Sequence, residues 1–241
     1  MTKTTLGKLA AGAFGALELP ALSPALRDGF RALPDLTGMA SDAMDELGIG
    51  GVVPAALLTP RDPTARLVGR ALTVRNIAAT EPVADAVKAA VSGLGEIEAH
   101  NLAEPGDVIV LQGVDLVSNL GGISATIGQR QGELGAIVDG GVRDVDHSRR
   151  IGYAIWSRSV SPITGKWRVK TIAINRPVTI CGVTVNPGDV VLADETGVCF
   201  IPRERAGEVL QRAERGAAAE KLREAKIASG APVAELFGKA R

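Results

Sequence analysis

Apolar residues recur at helical spacing in the first well-defined element of the chain. Residues 36–47 place leucine, methionine and alanine three or four positions apart, and Gly48 follows them, which favours a helix end. Thr37 or Ser41 is expected to cap the start of this helix, because a hydroxyl oxygen can accept one of the first backbone N–H groups. The pattern therefore predicts a helix preceded by a less regular N-terminal segment.

A strand and a second helix are expected next. Residues 67–74 alternate between apolar and polar positions well enough to predict a strand. Thr80, Glu81 and Pro82 open the second helix, because proline is tolerated in a first turn. The predicted apolar face of that helix consists of Val83, Ala84, Val87, Ala90, Val91 and Leu94.

The centre of the chain has the order strand, glycine loop, helix, strand. A turn at 105–107 precedes an apolar strand at 108–111, a helix is predicted over about 121–131, and 135–138 forms the next buried strand. This order is typical of a βαβ unit in a parallel sheet. Since ligands of such sheets bind at the carboxyl ends of the strands, the residues that follow them are the candidates for function.

The last third of the chain changes from short strands to one long helix. Closely spaced β runs over 153–201 predict an antiparallel sheet or half barrel attached to the βαβ unit. A long helix is expected after Pro202 and ends near Ser229, before Gly230. Its thin apolar stripe, which favours packing on a neighbouring subunit, consists of Val209, Leu210, Ala213, Ala217 and Leu222.

Composition and charge argue against several classes of protein. The 241 residues can bury a sizeable core, and Lys plus Arg equals Asp plus Glu at 27 each, so no net field favours nucleic acid. Aromatic residues make up 3%, which is too few for base-stacking platforms. No segment approaches the roughly 20 apolar residues of a membrane span. Neither nucleic acid nor a membrane is therefore an expected partner.

The N-terminus and the cysteines indicate a cytoplasmic protein. Lys3 and Lys8 precede a short apolar run, but that run ends at Glu18 without a cleavage pattern, so a peripheral helix or loose arm is expected. Cys181 and Cys199 both lie in apolar β runs and lack the spacing of a zinc site. They are predicted to be buried thiols in a reducing compartment.

Arg143 and Asp144 are the most informative polar residues. They follow a predicted buried strand and the glycine pair Gly140-Gly141, whose flexibility is expected to let a ligand approach the backbone. A guanidinium can grip a carboxylate while a neighbouring carboxylate ligates a hard cation. The alternative is an ordinary surface turn with solvated ion pairs. Asp139 is expected to brace the turn.

The second candidate is the glycine loop before the central helix, with sequence Asn119-Leu120-Gly121-Gly122-Ile123-Ser124. Backbone N–H groups at a helix N-terminus can hold an anion such as a carboxylate, although glycine pairs also mark plain turns. The loop lacks the ending of a phosphate-binding Walker loop, and the chain has no Gly-x-Gly-x-x-Gly motif. Nucleotide binding is therefore disfavoured.

Other reactive residues have no pattern that predicts chemistry. His100 and His147 stand outside ligand motifs, and no Gly-x-Ser-x-Gly elbow supports serine catalysis. The basic segment 156–170 either lines the entrance for an acidic substrate or forms a solvated loop.

Several motifs follow one another in a recognisable order. Besides the Gly121-Gly122 loop, they are 41–48 (SDAMDELG), 105–110 (PGDVIV), 135–145 (GAIVDGGVRDV), 182–194 (GVTVNPGDVVLAD) and 197–202 (GVCFIP). This order resembles that of the RraA-like family, which includes 4-hydroxy-4-methyl-2-oxoglutarate aldolases that also decarboxylate oxaloacetate. The resemblance covers about 37–202, with a weaker match in the last helix. It implies a swivelling β/β/α fold that assembles as a homotrimer or homohexamer, with sites between subunits.

The resemblance also implies a domain organisation and a set of site residues. Residues 1–36 would be an N-terminal arm, 37–202 the α/β catalytic domain, and 203–241 a C-terminal helix that packs on a neighbouring subunit. Arg143 would bind and polarise the 2-oxo group of a small acid, and Asp144 would anchor Mg²⁺ or Mn²⁺. The backbone N–H groups that would hold the substrate carboxylate belong to Gly121, Gly122, Ile123 and Ser124.

Two positions need separate mention. Aldolases of the family often carry an Asp where this chain has Gly122, and that Asp is associated with positioning water or moving a proton. A C-terminal helix in those enzymes lends a Glu to the neighbouring site, and Glu220 is the matching residue here. The implied activity is a class II, metal-dependent lyase, an aldolase or decarboxylase acting through a pyruvate enolate. The alternative is a non-catalytic regulator of RNA degradation.

Overall fold

The computed structural model describes residues 3–236 and contains one large mixed sheet. The strands in this range are β1 Val52–Pro54, β2 Thr59–Pro60, β3 Leu67–Ala78, β4 Asp107–Gln112, β5 Ser118–Leu120, β6 Gly135–Val142, β7 Ala154–Val160, β8 Val169–Ile174, β9 Val178–Ile180, β10 Val183–Val185, β11 Val190–Ala193 and β12 Gly197–Ile201. The helices are α1 Pro24–Ala32, α2 Leu36–Glu46, α3 Val83–Lys88, α4 Ile97–Leu102, α5 Gly122–Gln131, α6 Val145–Arg150, α7 Ala206–Ala228 and α8 Val233–Leu236. Short 3₁₀ turns occur at Ala11–Ala13 and Arg203–Arg205.

The centre of the sheet is parallel. β3, β4, β6 and β7 lie side by side and run in the same direction, and β5 pairs with the end of β6. The predicted βαβ unit is confirmed as β4, α5 and β6, with the short strand β5 inserted between β4 and α5. The first β run of the last third, which starts near Tyr153, was expected to be antiparallel. This expectation was wrong, because the run forms β7, which pairs with β6 in parallel. Helix α6 reverses the chain between β6 and β7, which allows the two strands to run in parallel.

The remaining strands are antiparallel, as predicted for the last third of the chain. β11 lies between β12 and β3, and β12 also pairs with β1. β8 pairs with the far half of β3, and β9 and β10 form a separate hairpin. Buried Val, Ile and Leu side chains cover both faces of the sheet. Helices α1, α2 and α7 pack in one cluster with residues of β3, β11 and β12, whereas α4 and α5 pack in another cluster with residues of β3, β4 and β6.

Helix α2 is capped from a distant part of the chain. The Thr37 backbone N–H donates to Asp194 Oδ2 at 3.0 Å, and the Thr37 hydroxyl donates to Asp194 Oδ1 at 2.6 Å. Burial raises the pKa of Asp194, but hydrogen bonds from Thr37 and Thr196 outweigh it and leave the pKa below its ordinary value. The helix predicted at 36–47 is confirmed, whereas the expectation that Thr37 or Ser41 caps it was wrong.

Helix α3 is shorter and more exposed than predicted. It ends at Lys88, Ala90 has a φ of 53°, and none of its residues is buried. Val87 and Val91 are 46% and 61% exposed. The predicted apolar face is therefore not packed on the sheet, because the left-handed residue ends the helix before a continuous face can form.

The N-terminal arm is fastened to the domain. Glu98 is fully buried, and its carboxylate accepts the backbone N–H groups of Leu6 at 2.8 Å and Lys8 at 2.6 Å. Further along, the Gly15 N–H donates to the Ile174 carbonyl at 2.9 Å. The part of the arm before α1 is thus hydrogen-bonded to the domain rather than loose, and apart from the 3₁₀ turn at Ala11–Ala13 it contains no helix.

A buried polar cluster fastens α4 and the end of α5 to the start of β7. His100 Nδ1 lies 2.8 Å from Glu133 Oε1, and the Tyr153 hydroxyl donates to Glu133 Oε2 at 2.6 Å. All three side chains are almost completely buried. Burial, and then the neighbouring Glu133, raise the pKa of Tyr153 well above its ordinary value. The histidine thus has a structural role beneath the helix that carries the glycine loop.

Helix α7 is buried only in its first half. Val209, Leu210 and Ala213 pack on α1 and α2, whereas Leu222 is 69% exposed and every residue from 221 to 230 is exposed. No helix within residues 3–236 combines the length and apolar character needed to cross a bilayer.

Candidate functional site

The glycine loop and the Arg143-Asp144 pair lie next to each other. β5 and β6 are parallel neighbours, so the residues that follow them emerge at the same edge of the sheet. The Arg143 N–H donates to the Leu120 carbonyl at 3.1 Å, which holds the two segments together. A Cβ placed on Gly121 would lie 3.0 Å from Asp144 Oδ2 and 3.1 Å from Arg143 Nε. Glycine at 121 therefore permits this close approach.

Asp144 occupies a left-handed backbone conformation with a φ of 56°. Its Oδ2 accepts the Gly122 N–H at 2.8 Å and lies 3.4 Å from Arg143 Nε. The Arg143 and Asp144 side chains are 43% and 46% exposed, so both remain accessible to a ligand. The carboxylate thus lies at the positive end of helix α5, where a negative charge is stabilised.

The helix N-terminus offers two further donors. Within the described residues, the N–H groups of Ile123 and Ser124 have no hydrogen-bond acceptor, as expected for a first helical turn. The Gly122 N–H, also expected to face a ligand, donates to Asp144 instead. An anion approaching α5 therefore meets the N–H groups of Ile123 and Ser124 first.

The other glycine pair has a different role from the one expected. Gly140 and Gly141 lie within β6, where a Cβ would come within 2.7 Å of Asn119 Nδ2 and 2.5 Å of the Val117 carbonyl oxygen, respectively. The close neighbour at these glycines is the chain's own loop, so the expectation of ligand access there was wrong. Asp139 braces this region, accepting from Arg158 Nε at 2.8 Å.

A cavity of about 320 Å³ opens beside the glycine loop. Its polar wall includes Arg143, Glu96, Ser124 and Lys166, together with the backbone of Gly121 and Gly122. Part of the basic segment 156–170 thus lines the site through Thr164, Gly165 and Lys166, whereas Trp156 is fully buried in the core.

Glu96 is a residue of this cavity that the sequence pattern did not single out. It precedes α4, and the Ser124 hydroxyl donates to its Oε1 at 2.9 Å. Burial raises the pKa of the Glu96 carboxyl above its ordinary value, against the opposing effect of the Ser124 hydrogen bond. A lone Glu in the irregular segment 92–96 gives no motif, so only the fold reveals its position.

His147 also lies closer to the site than its sequence context suggested. Its Cδ2 would be 3.1 Å from a Cβ on Gly122, and its Nε2 lies 2.9 Å from Thr126 Oγ1. Spacing provided a weak signal, because His147 is one helical turn after Asp144. The ring does not contribute to the lining of the cavity that holds Glu96 and Arg143.

Glu220 lies apart from these residues. It faces a groove between α2 and α7 that is also lined by Met39, Asp42, Arg212 and Arg223. The chain therefore does not bring Glu220 to the cavity beside Arg143. In the described part of the chain there is also no cluster of three or more His, Cys, Asp or Glu residues suited to a metal ion.

These features define an α/β protein with a polar cleft at the carboxyl ends of parallel strands, lined by Arg143, Lys166 and Glu96. Residues 37–200 match the RraA-like family, described as Aldolase/RraA. The chain belongs to this family, which confirms the resemblance seen in its motifs.

Known relatives carry different names. A Halalkalibacterium halodurans protein with the provisional name 4-hydroxy-4-methyl-2-oxoglutarate aldolase is 30% identical over 200 residues, which cover 82% of this chain and 86% of that protein. Legionella pneumophila DlpA is 30% identical over 198 residues, which cover 79% of this chain and only 30% of DlpA.

Solved structures have the same fold. An uncharacterised Pseudomonas syringae protein superposes with a TM-score of 0.76 at 26% identity, covering 90% of this chain and 99% of its own. Streptomyces coelicolor RraAS2, described as an unusual member of the RNase ES inhibitor RraA family, has a TM-score of 0.70 at 25% identity, with 85% and 98% coverage. The predicted RraA-type α/β fold with a long C-terminal helix is confirmed.

Proposed function

We propose that this protein is a divalent-metal-dependent lyase that cleaves a carbon–carbon bond beside the 2-oxo group of a small acid. The observation that carries the proposal is a cavity lined by Arg143 and by the first turn of α5 with its N–H groups of Ile123 and Ser124. Asp144 lies beside this cavity, in contact with Arg143 and Gly122 of its lining. Relatives named as 4-hydroxy-4-methyl-2-oxoglutarate aldolases support this reaction class.

Asp144 fits a Mg²⁺ or Mn²⁺ ion. Its carboxylate is half-exposed, and the Gly122 N–H orients one oxygen while leaving lone pairs on both. Mg²⁺ commonly binds through one or two carboxylates, keeps several waters and takes further oxygens from its substrate. When bound, the ion supplies electrophilic stabilisation of the charge that develops on the 2-oxo group.

The chain's own residues bind and polarise the substrate. The N–H groups of Ile123 and Ser124 hold the carboxylate next to the 2-oxo group, because both point out of the helix N-terminus. The Arg143 guanidinium binds the 2-oxo oxygen. As the bond to the leaving group breaks, negative charge grows on this oxygen and the arginine stabilises it. Lys166, which also lines the cavity, attracts a second, distal carboxylate of the substrate.

We also propose a homotrimer or homohexamer in which α7 reaches a neighbouring subunit. The exposed second half of α7 supports this arrangement, since a helix with so little buried surface needs a partner. Glu220 faces away from its own Arg143 and would contribute its carboxylate to the neighbour's site.

The test is pyruvate release from oxaloacetate, corrected for decarboxylation by the metal alone. Activity should disappear with excess EDTA and return when Mg²⁺ or Mn²⁺ is restored. If no enzyme-dependent rate is found with either metal, the proposed reaction is wrong for oxaloacetate, and Gly122 becomes the first residue to change.

A second candidate function is regulation of RNA degradation by protein binding, which is favoured by the similarity to RraAS2. Co-purification with an RNA-degrading enzyme that persists in Asp144→Asn, without lyase activity in the unaltered protein, would support this alternative. A metal-dependent lyase that retains no such partner would exclude it.

A further inference from the structure

Glu96 is the one carboxyl group among the described residues that line the cavity. Its Oε1 accepts the Ser124 hydroxyl at 2.9 Å, so the carboxyl lies against the first turn of α5, beside the N–H groups proposed to hold the substrate. The other ionisable side chains of the lining are Arg143 and Lys166. The proposed function gives Glu96 no part in binding the 2-oxo group or the metal.

The proposed reaction includes a proton transfer for which no donor has yet been named. Cleavage of the carbon–carbon bond leaves its electron pair on the product as a pyruvate enolate, and pyruvate forms only when C3 receives a proton. An arginine at neutral pH does not release one readily. A carboxyl group within the cavity can supply the proton, provided that it is protonated when the enolate forms.

The surroundings of Glu96 shift its titration toward the protonated form, compared with an exposed carboxyl group. Burial raises the pKa of this carboxyl, while the opposing contributions come from Ser124, the Glu96 backbone N–H and His100 on α4. His100 in turn contacts Glu133, which accepts its Nδ1 hydrogen bond. The neutral acid also avoids repulsion of the incoming substrate carboxylate.

We propose that Glu96 is the general acid that delivers a proton to C3 of the enolate, a role that rests on the proposed lyase function. The carboxyl O–H bond breaks, the enolate electron pair forms the new C3–H bond, and the carbonyl of pyruvate is restored. Glu96 is left as a carboxylate that Ser124 continues to contact, and water then reprotonates it. In the reverse direction the carboxylate removes a methyl proton from bound pyruvate.

This reverse step gives a direct assay. Pyruvate is incubated in D₂O with the protein and Mg²⁺ or Mn²⁺, and replacement of methyl hydrogen by deuterium is followed by NMR. Release of CO₂ from oxaloacetate is measured in parallel, because that cleavage needs no proton on C3. The variant is Glu96→Gln, whose amide oxygen keeps the acceptor for Ser124 while the titratable proton is removed.

The expected result is a split between the two reactions. Glu96→Gln should slow the exchange by roughly 10²–10⁴-fold, the usual contribution of a general acid or base, and keep CO₂ release within about threefold. Glu96→Asp should restore part of the exchange. Thermal unfolding should be unchanged, since the Ser124 contact is retained.

Other results would overturn the assignment. Exchange that survives in Glu96→Gln, or an equal loss of both reactions, would exclude a specific proton-transfer role. His147→Gln tests the neighbouring imidazole, and selective loss of exchange there, with Glu96→Gln unaffected, would assign the proton to His147. An unaltered protein with neither reaction would refute the lyase itself, whereas one with both reactions and an unaffected Glu96→Gln would refute only the role of Glu96.

Discussion

Replacement of Asp144 separates the structural and chemical roles of this residue, and the choice of replacement decides whether the experiment can be interpreted. Alanine removes the carboxylate that accepts the Gly122 N–H at 2.8 Å, a loss of roughly 1 kcal/mol for a helix cap. Alanine must also adopt a φ of 56°, which costs about 1–2 kcal/mol for a residue other than Gly, Asn or Asp. Asp144→Ala should therefore lose about 2–3 kcal/mol of unfolding free energy.

Asparagine keeps both structural features. Its side-chain oxygen can accept the Gly122 N–H, and it tolerates the left-handed region, so the loss is limited to about 0.5 kcal/mol from the missing charge at the helix end. In a chain of 241 residues, the difference between the variants corresponds to roughly 3–10 °C in melting temperature. Asp144→Asn is thus the variant that removes charge without disturbing the fold.

The two assays are urea unfolding and EDTA-sensitive pyruvate release from oxaloacetate. Asp144→Asn should unfold close to the unaltered protein and lose activity by roughly 10²–10³-fold, because electrophilic stabilisation by a metal is worth several kcal/mol. Equal destabilisation of the two variants would refute the capping argument. EDTA-sensitive activity preserved in Asp144→Asn would refute the assignment of the metal to this carboxylate.

Three further predictions concern residues around the site. Tyr153→Phe removes the buried hydroxyl that donates to Glu133 at 2.6 Å, and urea unfolding should detect a loss of about 1.5–3 kcal/mol, while a smaller loss in a Glu133→Gln background would show that the charge is responsible. Gly122→Asp should fold if the ring of His147, whose Cδ2 would lie 3.1 Å from the new Cβ, shifts by a few tenths of an ångström. It should raise aldol cleavage relative to oxaloacetate decarboxylation, and an unchanged ratio would contradict the role given to this position. Because the pKa of Asp194 is lowered in the folded protein, its ionised carboxylate stabilises the fold at pH values above 3.8, the ordinary pKa of the group, and this contribution disappears as pH falls through the lowered pKa. The difference in unfolding free energy between the unaltered protein and Asp194→Asn, measured by urea unfolding between pH 3 and 7, should therefore be largest at the neutral end.

The parts of the fold that could be predicted share strong local signals. Buried apolar runs separated by glycine turns indicated β4, α5 and β6, and the order of these elements placed Arg143 at the carboxyl end of β6. The meeting of Arg143 with Gly121 depends on β5, which the sequence pattern did not predict. Only the resemblance to the family had assigned both residues to one site. The helix over 36–47 was likewise correct, since its periodicity and its terminal glycine agree.

The wrong predictions concern positions where a segment distant in sequence makes the contact that had been assigned to a nearby residue or to a ligand. Nothing near Thr37 indicates that Asp194 caps α2, because the two are separated by 157 residues. Gly140 and Gly141 have the composition of a ligand-binding turn, yet they accommodate the loop around Asn119. A glycine pattern alone does not distinguish close approach by a ligand from close approach by the chain itself.

The same distinction explains why Glu96 and Glu220 were harder to place than Arg143 and Asp144. Arg143 and Asp144 follow a strand directly, so strand topology alone determines where they lie. Glu96 reaches the cavity only because α4 folds against α5, and Ser124 then fixes its carboxyl at 2.9 Å. Glu220 is one of several acids on an exposed helix, and in the proposed assembly its place depends on a contact between subunits. Under the proposed function, strand ends thus indicate the electrophilic part of the site, whereas the place of the proposed proton donor Glu96 depends on packing between helices and that of Glu220 on packing between chains.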